Sequence, residues 1–117
     1  MKKLDLEKAK RMVTAAGPSI DDNYDITKGP WIFGSRTDIA VFQRDAENGF
    51  SYGRTVWYVA YDKGSGVELK VLHDTGRTHD NCHTLWAEIV DGVLEVKIGY
   101  GGFEKTLKTR LFDLGLR

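Results

Sequence analysis

From residue 31 to residue 112 helical spacing disappears, and the apolar residues fall in short runs, several of them of period two, between short turns rich in glycine and aspartate. That period admits strands and leaves no room for an amphipathic helix. The strongest instance is Asp91-Gly92, set between the alternating runs 82–90 and 93–100. Such a dipeptide suits a two-residue hairpin turn. The turn puts Val90 opposite Val93, Ile89 opposite Leu94 and Trp86 opposite Lys97. One face of the hairpin then collects Leu85, Ala87, Ile89, Leu94, Val96 and Ile98, the expected core. The other face collects Trp86, Glu88, Glu95 and Lys97, with the two glutamates directly opposed and Lys97 expected to soften their repulsion.

Further strands are expected over 31–33, 39–43, 52–61, 67–73 and 103–112. The turn-like stretch 45–49 ends the second of these, and Gly101-Gly102 leads into the last. No βαβ rhythm occurs, so the reading is an antiparallel meander of six to seven strands. Trp57, Val59 and Tyr61 face one way along 52–61, and Val56, Tyr58 and Ala60 face the other. A strand apolar on both faces is covered on both. The sheet must therefore curl, close into a small barrel, or bury its second face against a partner. In a closed barrel, Glu88 and Glu95 would line a ligand pocket.

Only the N-terminal segment has helical spacing. Leu6, Ala9, Val13 and Ala16 share a face over residues 5–16. Asp5 is placed to accept from the free amides of the first turn, Leu4 to pack on Ala9, and Gly17-Pro18 to stop the helix. The expected fold is α+β and mainly β, in one domain spanning 1–117: a helix at about 5–16, a polar linker over 17–30, and a sheet at about 31–112.

Seventeen basic and seventeen acidic residues leave no net charge to draw the chain toward nucleic acid or an anionic membrane. Weak colloidal repulsion instead favours self-association. Cys82 is the single cysteine, so an intramolecular disulfide is excluded and a reducing compartment fits. Charged residues interrupt Leu4 and Leu6, which argues against a signal peptide, and no run reaches the ~20 apolar residues of a membrane span. The expected location is the cytoplasm.

All three histidines, and Cys82, fall between His73 and His83. Strand order predicts that His73, Arg77, His79, Cys82 and His83 share one rim with Arg54, Asp45 and Glu47, and that Tyr100 lies opposite His83. Three chemistries suit such a rim. His73, His79 and His83, with Cys82, are metal-type donors, but their spacing matches no finger, and Cys82 and His83 alternate in direction. His79 and His83 beside Arg54 and Arg77 form an acid–base set for a phosphodiester or another hydrolytic substrate. Plain structural roles are the third reading: a core-facing His83 near Tyr100, an inert Cys82 and a solvated His79.

Phosphate-loop, nucleophile-elbow, metalloprotease and paired-cysteine motifs are absent, and no cofactor is expected. The preferred expectation is a binding or interaction module that uses the second face of its sheet. Its contact set is Trp86, Glu88, Glu95, Lys97, Arg54, Arg77 and Tyr100. The partner is a protein or a second copy of the chain, with a small ligand as the further candidate. Phe103 to Phe112 reads as an edge guarded by Lys108 and Arg110.

Overall fold

A computed structural model describes residues 3–16, 24–34, 36–47 and 53–117. Helix α1 (Leu6–Ala16) precedes strands β1 (Tyr24–Phe33), β2 (Arg36–Glu47), β3 (Gly53–Asp62), β4 (Val67–Asp74), β5 (Cys82–Val90), β6 (Val93–Tyr100) and β7 (Phe103–Arg110). A short 3₁₀ helix, Leu111–Leu114, follows. Every pairing is antiparallel, in two open sheets of order β1-β2-β3-β4 and β5-β6-β7. The fold is thus α+β and mainly β, as the alternation requires. The sheet splits in two and does not close into a barrel.

The split answers the need to cover β3 on both sides. Trp57 and Val59 join Val41, Leu94, Val96, Ile98 and Leu107 in a core between the two sheets. Val56, Tyr58 and Ala60 join Ala40, Phe42, Ala9 and Val13 in a second core beneath α1. Three layers result: helix, four-stranded sheet, three-stranded sheet.

The helix start follows its expected chemistry. The Lys8 amide donates to Asp5 Oδ1 at 3.0 Å, and Leu4 is buried in the same cluster as Ala9. The buried stripe is narrower than its spacing suggests: Ala9 and Val13 are covered, whereas Leu6 and Ala16 are exposed. Residues 17–23, with the Gly17-Pro18 stop, and Tyr52 lie outside the described residues.

The expected linker over 17–30 is corrected over its described part, 24–30, because β1 begins at Tyr24. Residues 24–28 pair in register with residues 43–47. Cross-strand ion pairs hold this stretch, Arg44 with Asp25 and Lys28 Nζ with Asp45 Oδ2 at 2.9 Å, so it needs no apolar alternation. For the same reason Asp45, Ala46 and Glu47 extend β2, where a turn was expected. At the other end Phe112 leaves the sheet for the 3₁₀ helix and is exposed.

The β5–β6 hairpin turns at Asp91 (φ 52°) and Gly92 (φ 76°), the left-handed pair of a type I′ turn. Val90 faces Val93, Glu88 faces Glu95 and Trp86 faces Lys97, as the turn predicts. Beyond Trp86 the register shifts. Thr84, not Leu85, pairs with Ile98, so Leu85 is the extra residue of a β-bulge. Its side chain is expelled from the predicted core and stands 46% exposed.

This parity is checked by two truncations. Leu94→Ala removes a fully buried side chain and is expected to cost about 2–5 kcal/mol in urea unfolding. Leu85→Ala is expected to cost less than about 1 kcal/mol. Equal losses would return Leu85 to the core.

Candidate functional site

The segment from His73 to His83 crosses from one sheet to the other, and this crossing sorts the polar residues. Gly53 and Thr78 exchange backbone hydrogen bonds at 2.7 and 2.8 Å, and the Thr75 amide donates to the Thr55 carbonyl at 3.0 Å. The crossing loop is thereby tied to the start of β3. Arg54, Arg77 and His79 therefore lie at one end of the molecule, as strand order predicts. The expected pairing of β4 with β5 does not occur, because these strands belong to different sheets.

Arg54 grips Asp74 in two-pronged fashion, Nε to Oδ1 at 2.8 Å and the terminal nitrogen to Oδ2. This bond holds Asp74 below the usual carboxylate range and Arg54 above its ordinary value. The Gly76 amide also donates to Asp74 Oδ1 at 2.9 Å. Arg77 and His79 are exposed on the loop.

His73 lies between rings of the two sheets, its centroid 5.9 Å from those of both Trp57 and Tyr100. Tyr100 continues the row to Phe103 at 4.9 Å. His73 Nε2 is enclosed without a hydrogen-bond partner. Burial lowers the His73 pKa, Lys105 lowers it further, and the Asp74 carboxylate opposes both.

The Leu85 bulge reverses two expected side chains. Cys82, not His83, takes the inward position and pairs with Tyr100, whereas His83 pairs with Gly99 and is exposed on the outer face. The expected core-facing His83 opposite Tyr100 is thus corrected. Burial pushes the Cys82 thiol up, with the Asp45 and Asp80 carboxylates adding to the effect, so its thiolate is disfavoured. His73 points between the sheets and His83 away from them. Among the described residues no three His, Cys, Asp or Glu side chains converge as metal ligands.

A buried polar chain that sequence reasoning missed fills this end of the core. Trp57 Nε1 donates to Thr84 Oγ1 at 2.8 Å, and Thr84 donates to Gln43 Oε1 at 2.7 Å. Gln43 Nε2 donates to Asp45 Oδ1 at 2.9 Å and to the Cys82 carbonyl at 3.2 Å. Thr55 donates to Asp45 Oδ1 at 2.9 Å. The signal was Gln43, a polar residue on the inward parity of an apolar strand. A small cleft of about 120 Å³ opens above this chain. Its lining cations, Lys28 and Arg54, are already answered by Asp45 and Asp74. An anionic substrate therefore finds little unspent positive charge there.

The remaining predicted contact residues stand on the outer face of the second sheet. Leu85 and Trp86 both project there because the bulge puts two successive side chains on one side. Glu88, Glu95 and Lys97 accompany them. Lys97 is engaged with Glu104 at 2.8 Å rather than with the opposed glutamates, and Lys108 approaches Glu95 at 3.9 Å. Leu85 also lies against Gly99, where an added Cβ would meet its Cδ1 at 3.5 Å. Leu85 and Gly99, with Tyr100, Phe103, Glu104, His79 and His83, line an open hollow of about 540 Å³.

Fold and site together define a helix-backed two-sheet protein with a polar-lined hollow and a sheet face that no other layer covers among the described residues. Compared with known proteins, the chain has no significant match to a family model, a curated sequence or a solved structure. No helix among the described residues is long and apolar enough to cross a membrane.

Two measurements check this geometry. Thr84→Val keeps the side-chain shape but strands Trp57 Nε1 and Gln43 Oε1, at an expected cost of about 1–3 kcal/mol in urea unfolding. The second measurement is of stability against pH. The unfolded chain binds a proton at His73 near its ordinary 6.5, before the folded chain does. Stability is therefore full above that value and falls as pH drops through 6.5 toward the lower folded value. Asp74, depressed below 3.8, adds a separate loss at more acidic pH. His73→Phe should flatten the upper decline and leave the lower one; an unchanged profile between pH 7 and 5 would refute the assignment.

Proposed function

We propose that this chain is a protein-interaction module that docks its partner on the outer face of the β5-β6-β7 sheet. The observation that carries this reading is the uncovered apolar surface at the bulge and hairpin. Leu85, Trp86 and Val90 are 46%, 38% and 41% exposed on a sheet whose inner face packs on the first sheet. The first sheet has α1 on its outer side; the second has no such layer among the described residues. Large rings flanked by charge are the composition of interaction surfaces. Glu88, Glu95 and Lys97 supply the charged surround.

The hydrolase reading built on His79, His83, Arg54 and Arg77 has less support. Arg54 is committed to Asp74, and His83 faces away from the inter-sheet side on which His73 lies. The buried, thiol-form Cys82 suits a reducing compartment, which is consistent with a cytoplasmic module.

A photo-crosslinking residue at position 86 tests the reading in native extract. It is expected to give one discrete adduct, and the same residue at exposed Lys10 none. Excess wild-type protein should compete the adduct away, whereas Trp86→Glu, with an unchanged unfolding midpoint, should compete about tenfold less well. An adduct of twice the chain mass would identify a second copy as the partner. Equal competition by Trp86→Glu would remove this face from the reading.

A further inference from the structure

We infer that the free edge of β5 over residues 86–90 takes up an extended peptide strand bearing a lysine or arginine between apolar residues. This deepens the module reading above and rests on it. Each sheet has two outer strands, β1 and β4 in one, β5 and β7 in the other. Exposed edges invite strand addition unless they are blunted by charge, proline or bulges. β1 contains Lys28 and Pro30 and breaks register twice. β4 carries Lys70 and a register break, and β7 carries Lys105, Lys108 and Arg110. β5 has no lysine, arginine or proline. Its blunting devices are the Leu85 bulge and the Glu88 carboxylate, and residues 86–90 run regularly beyond the bulge.

The hydrogen-bonding groups of that run can be assigned. Val90 and Val93 close the type I′ turn, where the carbonyl of the first turn residue accepts from the fourth. Antiparallel pairs then alternate, so Ala87 and Ile89 aim their N–H and C=O groups away from β6. Among the described residues no strand answers them. In front of them lies an open cleft of about 520 Å³, bounded by Ala87, Glu88 and Ile89 on β5 and by Ile32, Phe33 and Gly34 opposite. Ile32 is 65% exposed. Arg36, which also borders the cleft, is held by both oxygens of Asp38. An added strand would place alternate side chains in this cleft beside Ile32, Ala87 and Ile89, and the others beside Trp86, Glu88 and Val90.

Charge selects the occupant. Lys108, Glu95 and Glu88 stand in one cross-strand row across β7, β6 and β5. The row ends at the free edge on exposed Glu88, with a second carboxylate behind it and Lys108 3.9 Å from that second carboxylate, Glu95. A basic residue opposite Glu88 completes the alternation, whereas an acidic one would extend the like-charge run. The same charge disfavours a second copy of β5 centred on this run, since it would set Glu88 against Glu88.

The probe is a fluorescein-labelled synthetic peptide, Ser-Val-Ile-Lys-Val-Thr-Ser, measured by anisotropy against the full chain. Binding is expected at about 10–100 μM. Replacing its lysine with glutamate should weaken binding about tenfold, and Glu88→Lys should reverse that preference. N-methylation at alternate residues should abolish binding by removing the ladder donors. Absence of binding at 1 mM, or indifference to N-methylation, overturns strand addition, whereas competition for the position-86 adduct judges the module reading separately. Concentration-dependent dimerisation with exchange protection of the Ala87 and Ile89 amides would make a second copy the occupant and also overturn the peptide.

Discussion

The double burial of β3 is the constraint from which the rest of the structure follows. Trp57 and Val59 have no exposed surface on one side, and Ala60 has none on the other. A strand of this kind is stable only between two apolar layers, and the chain has two unlike elements to offer. The helix contributes a narrow stripe, Ala9 and Val13, wide enough for small partners such as Ala40 and Ala60. The larger aromatic side needs a whole sheet, and β6 supplies Leu94, Val96 and Ile98 to it. Once the later strands are drawn over the first sheet, the crossing loop after β4 must pass between layers. That passage gathers polar side chains at one end of the sandwich.

Parity was legible wherever one strand or one tight turn decided it. The two faces of β3 and the hairpin pairs from Val90 to Trp86 follow from period-two spacing and from Asp91-Gly92. The helix cap followed from Asp5 and Leu4. Residues 24–28 look like a linker in the sequence because their pairing with β2 is held by ion pairs, and polar alternation carries no apolar signal. The division into two sheets was equally hidden. Alternation states which side chains share a face but not which neighbouring strand lies beside them, so β4 and β5 look adjacent until a third dimension is supplied.

One inserted residue accounts for most of the difference at the candidate site. Because Leu85 is extra in the β5–β6 ladder, every residue before it changes side. Cys82 moves inward, where burial disfavours its thiolate, Thr84 moves inward to bridge Trp57 and Gln43, and His83 moves outward. Two observations in the sequence are compatible with this shift: Thr84 is polar, and Gly99 across from His83 has no side chain for Leu85 to meet. Neither forces a bulge. The bulge becomes necessary only when Trp57 and Gln43 on the facing sheet present buried polar atoms that Thr84 satisfies and Leu85 would not. Register in β5 is therefore set from the opposite layer.

The same device explains why the outer face of the second sheet differs from an ordinary solvated one. In a regular strand Leu85 would be spent on the core, and Trp86 would stand among charged neighbours with no apolar companion on β5 nearer than Val90. The bulge adds Leu85 beside it and leaves Thr84 to serve the interior. Polar satisfaction within the sandwich and apolar exposure outside it are thus one geometric choice with two consequences. A change that restored regular pairing through residue 85 would bury Leu85 against Ile98, strand Trp57 Nε1 and turn His83 inward at once. Exposure of Leu85 is the cost of satisfying Trp57 and Gln43, so the surface patch is coupled to the core and does not vary independently of it.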